Sequence, residues 1–166
     1  MALRSTEIVV IGAGPAGVAA AVQCKRLGIA PLLVDSTGRA GGLVGCGYLV
    51  ENYPGLPPMP GKALAKLLRN HLDRFAQSVE KGVVQHLEQD QDGFLVYGDF
   101  ETTRARAVIV AVGTLPRELP VPGASDVTGT HLLYDVRQLF DLSHPEPQER
   151  ILVIGGGEAA LDYALS

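Results

Sequence analysis

Short runs of aliphatic, mostly β-branched residues, each closed by glycine or polar residues, divide the first third of the chain into regular elements. Glu7–Ile11 predicts a buried strand, Pro15–Leu27 predicts an alanine-rich helix that ends before Gly28, and Pro31–Asp35 predicts a second strand. A strand, a helix and a strand within about thirty residues form a βαβ unit. Such a unit requires a parallel sheet and a right-handed crossover.

The next stretch alternates between helical and strand periodicity. Lys62–Gln77 has apolar residues at helical spacing and predicts a helix with one apolar face. Residues 79–106 contain two or three short strand candidates (VVQHL, GFLVYGDF and ETTRAR), which predict a small antiparallel meander. Ala107–Val112 predicts a further buried strand that is closed by Gly113. Ser36–Pro60, long and rich in glycine and proline, is typical of a functional loop.

The last part of the chain repeats the plan of the first. Residues 115–149 are proline-rich and predict a connector, after which Arg150–Ile154 predicts a strand. A glycine turn and the start of a helix follow, so RILVIGGGEAALDYAL is a near-repeat of EIVVIGAGPAGVAAAV. One strand with part of one helix cannot form a sheet by itself.

The turn after the first predicted strand has the spacing G-x-G-x-x-G. Gly12 permits a tight turn, Gly14 lets a pyrophosphate approach the backbone, and Gly17 allows the helix to pack closely on the strand. Asp35 ends the second strand, where a carboxylate can accept hydrogen bonds from an adenosine ribose. This combination predicts a dinucleotide site. A glycine turn needed only for packing would explain Gly17, but not Gly14 together with Asp35.

Two further glycine clusters allow more than one interpretation. Gly155, Gly157 and Ala160 form a G-x-G-x-x-A turn, which favours a second dinucleotide site over a second packing turn. No following strand with its terminal acid is present, so the choice between NAD and NADP stays open. Gly41-Gly42 can place backbone against a flat ring or a phosphate, or can form a flexible loop.

Composition excludes several classes of protein. The formal net charge is −4 with no basic block, which gives no electrostatic support for binding nucleic acid or a membrane surface. The two cysteines are too few for a disulfide framework and fit a cytoplasmic location, and the four histidines lack metal-ligand spacing. Cys24 is interpreted as a packing residue. Cys46 is a loop thiol without a C-x-x-C partner, so a redox role for it is the weaker alternative.

The motifs together resemble the thioredoxin-reductase-like branch of the FAD/NAD(P) pyridine nucleotide-disulfide oxidoreductases. The matching stretches follow the order of that family and cover most of the chain: VVIGAGPAGVAAAV, VDSTGRAGGLV, VENYPGLP, AVIVAVGTLPRELPVPG and RILVIGGGEAALDYAL. The resemblance implies an α/β fold: an FAD/NAD(P)-binding, Rossmann-like three-layer domain with a parallel sheet and a small antiparallel meander. It implies an N-terminal FAD-binding part at 1–115, a connector at 116–149 and an incomplete NAD(P)-binding domain at 150–166.

The resemblance also implies binding roles by position. Catalytic residues stay unknown, and no metal site is expected. The binding residues implied for FAD are Gly12, Gly14, Pro15, Ala16 and Gly17 at the pyrophosphate, Asp35 at the ribose, Gly41, Gly42 and Leu43 beside the flavin, Asn52, Val84 at adenine, and Ala111 and Gly113 closing over the cofactor. Those implied for the pyrophosphate of NAD(P)H are Gly155, Gly156, Gly157, Glu158 and Ala159.

Three departures from the family pattern bear on activity. The C-x-x-C pair of thioredoxin reductases is absent from THLLYDVRQLFDLSH, a stretch that is more similar to ferredoxin–NADP reductases of this fold. Leu43 stands where glutamine is usual, and the chain lacks the family's C-terminal return to the FAD domain, so a truncated chain is expected.

These features predict an oxidoreductase that passes electrons from NAD(P)H through FAD to a small molecule or a small redox protein. The resemblance alone implies a homodimer. A non-catalytic or partner-dependent nucleotide-binding fragment is the alternative. A flavin monooxygenase or amine oxidase is a third.

Overall fold

The computed structural model describes residues 3–129, 131–134, 150–157, 160, 161 and 164. The chain divides into two compact units, Met1–Gly113 and Thr114–Ser166. No helix among the described residues is long and apolar enough to cross a membrane.

The first unit contains six strands and two long helices in the predicted order. The helices are α1 (Pro15–Arg26) and α2 (Gly61–Arg74), and a short 3-10 helix spans Gly42–Cys46. The strands are β1 (Arg4–Ile11), β2 (Leu32–Asp35), β3 (Glu80–Lys81), β4 (Val84–Asp90), β5 (Gly93–Gly98) and β6 (Thr103–Val110). In the second unit the described residues include a short helix, α3 (Ala124–Val127).

One sheet holds all six strands, in the order β3-β2-β1-β6-β5-β4. β1 pairs in parallel with β2 and β6, and β2 pairs in parallel with β3. β5 pairs antiparallel with both β4 and β6. The predicted parallel sheet and antiparallel meander are therefore both confirmed, and β6 belongs to each.

The apolar side chains of β1 and β2 contribute to two separate cores, because successive side chains of a strand point to opposite faces of the sheet. Val10 and Leu33 pack against α1 and α2. Their neighbours Val9 and Val34 instead pack against Val96 of β5 and its surroundings. The first unit therefore has three layers (helices, parallel strands and meander), as predicted.

The two edges of this sheet are joined by a very short link. β3 and β4 lie at opposite ends of the strand order, yet only Gly82 and Val83 separate them in sequence. A flat sheet would place those edges roughly 24 Å apart, from a strand spacing of about 4.8 Å. The link spans at most about 11 Å, from about 3.8 Å between successive Cα atoms. The sheet must therefore curl, which brings the meander over one face of β1 and β2.

Two strand predictions need correction. The predicted strands ETTRAR and Ala107–Val112 form the single strand β6, which ends at Val110 and has an exposed outer end. The long partner β1 explains the merger, because it pairs with β6 from Thr103 to Val110. Residues 150–154, predicted as a strand, form no strand and are exposed. No described strand pairs with that segment, and a strand without a partner leaves its backbone groups unsatisfied.

Candidate dinucleotide site

Three turns converge at the carboxyl ends of neighbouring parallel strands. The Gly12 amide donates to the Val34 carbonyl at 2.7 Å, and the Ala111 amide donates to the Ile11 carbonyl at 2.8 Å. The connection from β1 leads through α1 to β2 on one side, while β6 lies on the other side of β1. The strand order therefore reverses at β1. In open α/β sheets, ligands bind outside the carboxyl ends of the strands at such a reversal.

Gly12 and Gly17 are required by the protein's own packing. Gly12 has φ +96°, and a methyl group on its Cα would overlap the carbonyl oxygen of Ala111. A methyl group on Gly17 would overlap the carbonyl oxygen of Gly12. The tight turn and the close approach of helix to strand inferred from the sequence are therefore confirmed.

Gly14 differs from both of these glycines. Its backbone (φ −69°, ψ −176°) is accessible to any residue. A methyl group there would meet no protein atom closer than the Cα of Gly42, at 4.0 Å. The protein's own packing therefore does not demand glycine at this position. The space beside the Gly14 Cα, which a Cβ would begin to fill, is suited to a ligand that approaches the backbone closely. We call this space the phosphate cradle.

The N-terminus of α1 is open beside Gly14. No side chain caps the helix, its first turn contains no acidic residue, and Pro15 occupies the start of the helix. The first amide groups of a helix have no intrahelical acceptor, and the helix dipole adds positive potential there. Ala16 is exposed and Gly17 is buried in this first turn. The arrangement fits a diphosphate.

The Gly41-Gly42 pair presses the loop after β2 against this turn. Gly41 (φ +130°) donates its amide to the Ala13 carbonyl at 2.9 Å. Gly42 has φ +55°, and a methyl group there would lie 2.9 Å from the Cα of Gly14. The two glycines therefore allow the loop backbone to approach the glycine turn closely, while their contact with a ring or a phosphate stays a prediction.

Asp35 connects the end of β2 to the glycine turn. One carboxylate oxygen, Oδ2, accepts the Ala13 amide at 2.9 Å. The other, Oδ1, accepts both the amide of Thr37 at 2.8 Å and its hydroxyl at 2.6 Å. The half-buried carboxylate thus lies beside the glycine turn. Thr37 was not identified from the sequence, since a threonine two residues after the acid has no motif of its own.

The remaining predicted FAD contacts are dispersed around this centre. Leu43 is 52% exposed in the 3-10 helix, and Asn52 is exposed in the loop that the Val50–Met59 bridge closes. Val84 is the half-buried first residue of β4, which pairs with Gly98. The Gly82 amide donates to the Asp35 carbonyl at 3.0 Å, so the segment leading to Val84 passes beside the acid.

The end of β6 completes the described site. Ala111 is half buried, with its carbonyl against Gly12. Gly113 has φ +71° and no atom within 4 Å of an added methyl group. This turn therefore closes over the glycine turn at Ala111, and the cofactor contact of Gly113 stays a prediction.

The second glycine turn is not built in the same way. Gly155 has φ +129°, and among the described residues an added methyl group would meet only the Cβ of Ala160, at 3.7 Å. At Gly156 and Gly157 it would meet no described atom within 4 Å. Helical hydrogen bonds begin where the amides of Ala160 and Leu161 donate to the Gly157 carbonyl. The predicted contacts Glu158 and Ala159 lie outside the described residues, as do residue 130 and residues 135–149 of the connector.

The cysteines have different surroundings. Cys24 is 6% exposed on the buried side of α1, which confirms its packing role. Cys46 is half buried at the end of the 3-10 helix. A redox role for Cys46 stays the weaker alternative.

Known proteins of the same architecture are similar to this chain in sequence. The family model described as pyridine nucleotide-disulphide oxidoreductase matches residues 6–166. A ferredoxin–NADP reductase of Levilactobacillus brevis is 36% identical over 96% of this chain and 49% of its own length. A thioredoxin reductase of Bacillus subtilis is 30% identical over 94% and 48%. Among solved structures, thioredoxin reductase of T. acidophilum aligns with TM-score 0.74 and 33% identity, covering 84% of this chain and 45% of that one.

The fold and the convergent turns define an α/β protein of the dinucleotide-binding class. The chain belongs to the pyridine nucleotide-disulphide oxidoreductase family, whose members use FAD and NAD(P)H. It spans about half the length of the curated relatives it matches.

Proposed function

We propose that this chain forms the FAD-binding part of a cytoplasmic flavoprotein that passes electrons from NAD(P)H to an acceptor. The single observation that carries the proposal is the open turn at Gly14. Backbone amides converge there beside the Asp35 carboxylate, and the protein's own packing does not require glycine. A ligand with a diphosphate next to a ribose matches this arrangement of donors and acceptor.

The side chains and backbone of this chain act by binding and orientation. Amides at the start of α1 hold the diphosphate, Asp35 accepts from the ribose, and the loop at Gly41-Gly42 and Leu43 borders the flavin. When bound, FAD supplies the hydride and electron chemistry, for which the protein needs no acid–base pair of its own. Residues 155–159 are proposed to contact the pyrophosphate of NAD(P)H.

The acceptor is proposed to be a small molecule or a small redox protein. The chain has two cysteines, Cys24 and Cys46, and no C-x-x-C pair. A dithiol on this chain therefore cannot pass electrons to thioredoxin. The similarity to a ferredoxin–NADP reductase supports an acceptor that takes electrons directly from the flavin.

The purified chain tests the flavin assignment. It is expected to bind FAD with a shifted visible spectrum, and anaerobic NADH or NADPH is expected to bleach it. Gly14→Val should weaken FAD binding by at least about tenfold, because the side chain occupies the phosphate cradle, a loss of about 1.4 kcal/mol. Its unfolding free energy should stay within about 1 kcal/mol of the parent's, because the backbone there is unstrained.

A result opposite to these would reject the proposal. Unchanged FAD affinity in a folded Gly14→Val variant would mean that the diphosphate does not lie on this turn. Ala19→Val is the matched control, because it adds a side chain of the same kind at an exposed position of the same helix. It should leave FAD affinity unchanged.

One observation favours the alternative, a nucleotide-binding fragment without NAD(P)H activity. The segment before the second glycine turn is exposed, with Leu152 82% accessible, and forms no strand. FAD that binds but is not bleached by either NADH or NADPH would support this alternative.

A further inference from the structure

We infer that Asp35 can hold only one of the two hydroxyls of an adenosine ribose, and that Thr37 is the positioning residue that imposes this limit. The inference deepens the proposed function and rests on one part of it, namely that the glycine turn at Gly12–Gly17 binds the adenosine diphosphate part of the cofactor.

The limit follows from the hydrogen bonds that the carboxylate already accepts. An ionised carboxylate offers about four lone-pair positions, two on each oxygen. Oδ1 accepts the amide and the hydroxyl of Thr37, at 2.8 and 2.6 Å. Oδ2 accepts the amide of Ala13 at 2.9 Å. One position remains, on Oδ2, whereas a ribose diol that binds side by side to both oxygens needs one on each.

The Thr37 hydroxyl is held in this role by its own partners. It has a single proton. The contact to Asp35 Oδ1 is 2.6 Å, and the alternative acceptor, the Arg39 carbonyl, is at 3.3 Å. A bond to an ionised oxygen is both shorter and stronger than one to a neutral carbonyl, so the proton lies on the carboxylate side. The Arg39 amide donates to the same hydroxyl oxygen at 3.2 Å, which fixes its position.

The backbone contacts cannot readily be exchanged for a ligand. The Thr37 amide closes a tight turn on Asp35, two residues earlier, and the Ala13 amide belongs to the glycine turn. Of the three donors to the Asp35 carboxylate, the Thr37 hydroxyl alone belongs to a side chain, so a substitution can remove it without altering the backbone. Thr37 itself is exposed, so its replacement does not disturb the core.

Binding of ADP, 2′-deoxy-ADP and 3′-deoxy-ADP to the purified chain, followed by NMR titration, tests the inference. One deoxy nucleotide should bind at least about tenfold more weakly than ADP, since a hydrogen bond to a charged group is lost. The other should bind within about threefold of ADP. Comparable losses for both nucleotides, no loss for either, or no binding of ADP would overturn the inference.

Thr37→Val and Thr37→Ser separate positioning from a general structural effect. Valine keeps the shape and the amide but frees a lone pair on Oδ1, so both deoxy nucleotides should now lose at least about tenfold relative to ADP. Serine keeps the hydroxyl and should restore the one-sided pattern of the parent chain, in which one deoxy nucleotide binds much more weakly than ADP and the other does not. A Thr37→Val variant that is folded and still shows the one-sided pattern would overturn the role of Thr37.

The two levels of the proposal fail in different ways. A chain that binds ADP with the one-sided pattern but binds no FAD, or holds FAD that NAD(P)H does not bleach, contradicts the proposed function alone. A chain that binds and bleaches FAD but discriminates equally against both deoxy nucleotides contradicts the inference about Asp35 alone.

Discussion

The two glycine turns of this chain follow nearly the same order of residue types but have different surroundings. Gly12 and Gly155 both have positive φ angles. Gly12 lies between parallel strands with its Cα against the Ala111 carbonyl, whereas the Cβ of Ala160 is the only described atom near a methyl group added at Gly155. The comparison shows that the spacing of glycines specifies a local turn. Neighbouring strands are what convert such a turn into a narrow site.

The largest expected effect comes from adding a methyl group at the two corresponding first glycines. Gly12→Ala should lower the free energy of unfolding by about 4 kcal/mol, from overlap with Ala111 and from backbone strain. Gly155→Ala has the backbone strain without the overlap and should cost about 1 to 2 kcal/mol. Urea denaturation measures both. Equal losses would show that the two turns are equally packed and would remove the contrast.

The aliphatic segments near the two turns provide a second test. Leu33 in β2 is 1% exposed, and Leu152 before the second turn is 82% exposed. Leu33→Ala should cost about 3 kcal/mol of unfolding free energy through the cavity it leaves. Leu152→Ala should change it by less than about 0.5 kcal/mol. A large loss from Leu152→Ala would mean that this segment is packed in solution, contrary to its exposure here.

The smallest expected effect on stability concerns the meander (β4, β5 and the first half of β6). The meander covers the parallel strands that hold the first glycine turn, and no similar layer is found among the described residues around the second glycine turn. Asp90 accepts two hydrogen bonds from the Arg104 guanidinium, at 3.0 and 2.9 Å. These bonds lower the pKa of Asp90 below its ordinary 3.8. A carboxyl whose pKa is lowered on folding stabilises the protein above its unfolded pKa, and the gain is lost as pH falls through the folded value.

Asp90→Asn should therefore lower Tm slightly at neutral pH, and the difference should disappear on acidification below about pH 4. Thermal melts of the parent and of Asp90→Asn across this range measure the convergence. Arg104→Gln provides the control: in that background Asp90→Asn should have little further effect at neutral pH. A difference that widens on acidification would contradict the assigned direction.

Most of the first unit could be predicted because its signals are local. The aliphatic runs of β1 and β2 and the apolar stripe of α2 each reflect surface that must be buried. The incorrect strand prediction at residues 150–154 has the opposite cause, because strand pairing is not a local property. The aliphatic run there indicates a strand, but pairing depends on partners that the pattern cannot supply. The merger of two predicted strands into β6 could not be predicted for the same reason, because it depends on pairing with β1 along the whole length of β6.

The site divides in the same way. Gly12, Gly14, Gly17 and Asp35 could be identified from their spacing, and the structural reasons for Gly12 and Gly17 are confirmed. Their contacts with a cofactor stay predictions. Thr37 could not be identified, because its role depends on where the chain turns after β2.

The amino-acid sequence by itself determined the succession of elements, the glycine turns and the family, because each depends on residues close together along the chain. Only the tertiary structure decided which turn is enclosed, how far β6 extends and how many acceptor positions Asp35 retains. These features depend on groups distant in sequence, such as Ala111 against Gly12 and Ala13 against Asp35. Hydrogen bonding and steric exclusion act through distance in space, which residue order alone does not specify.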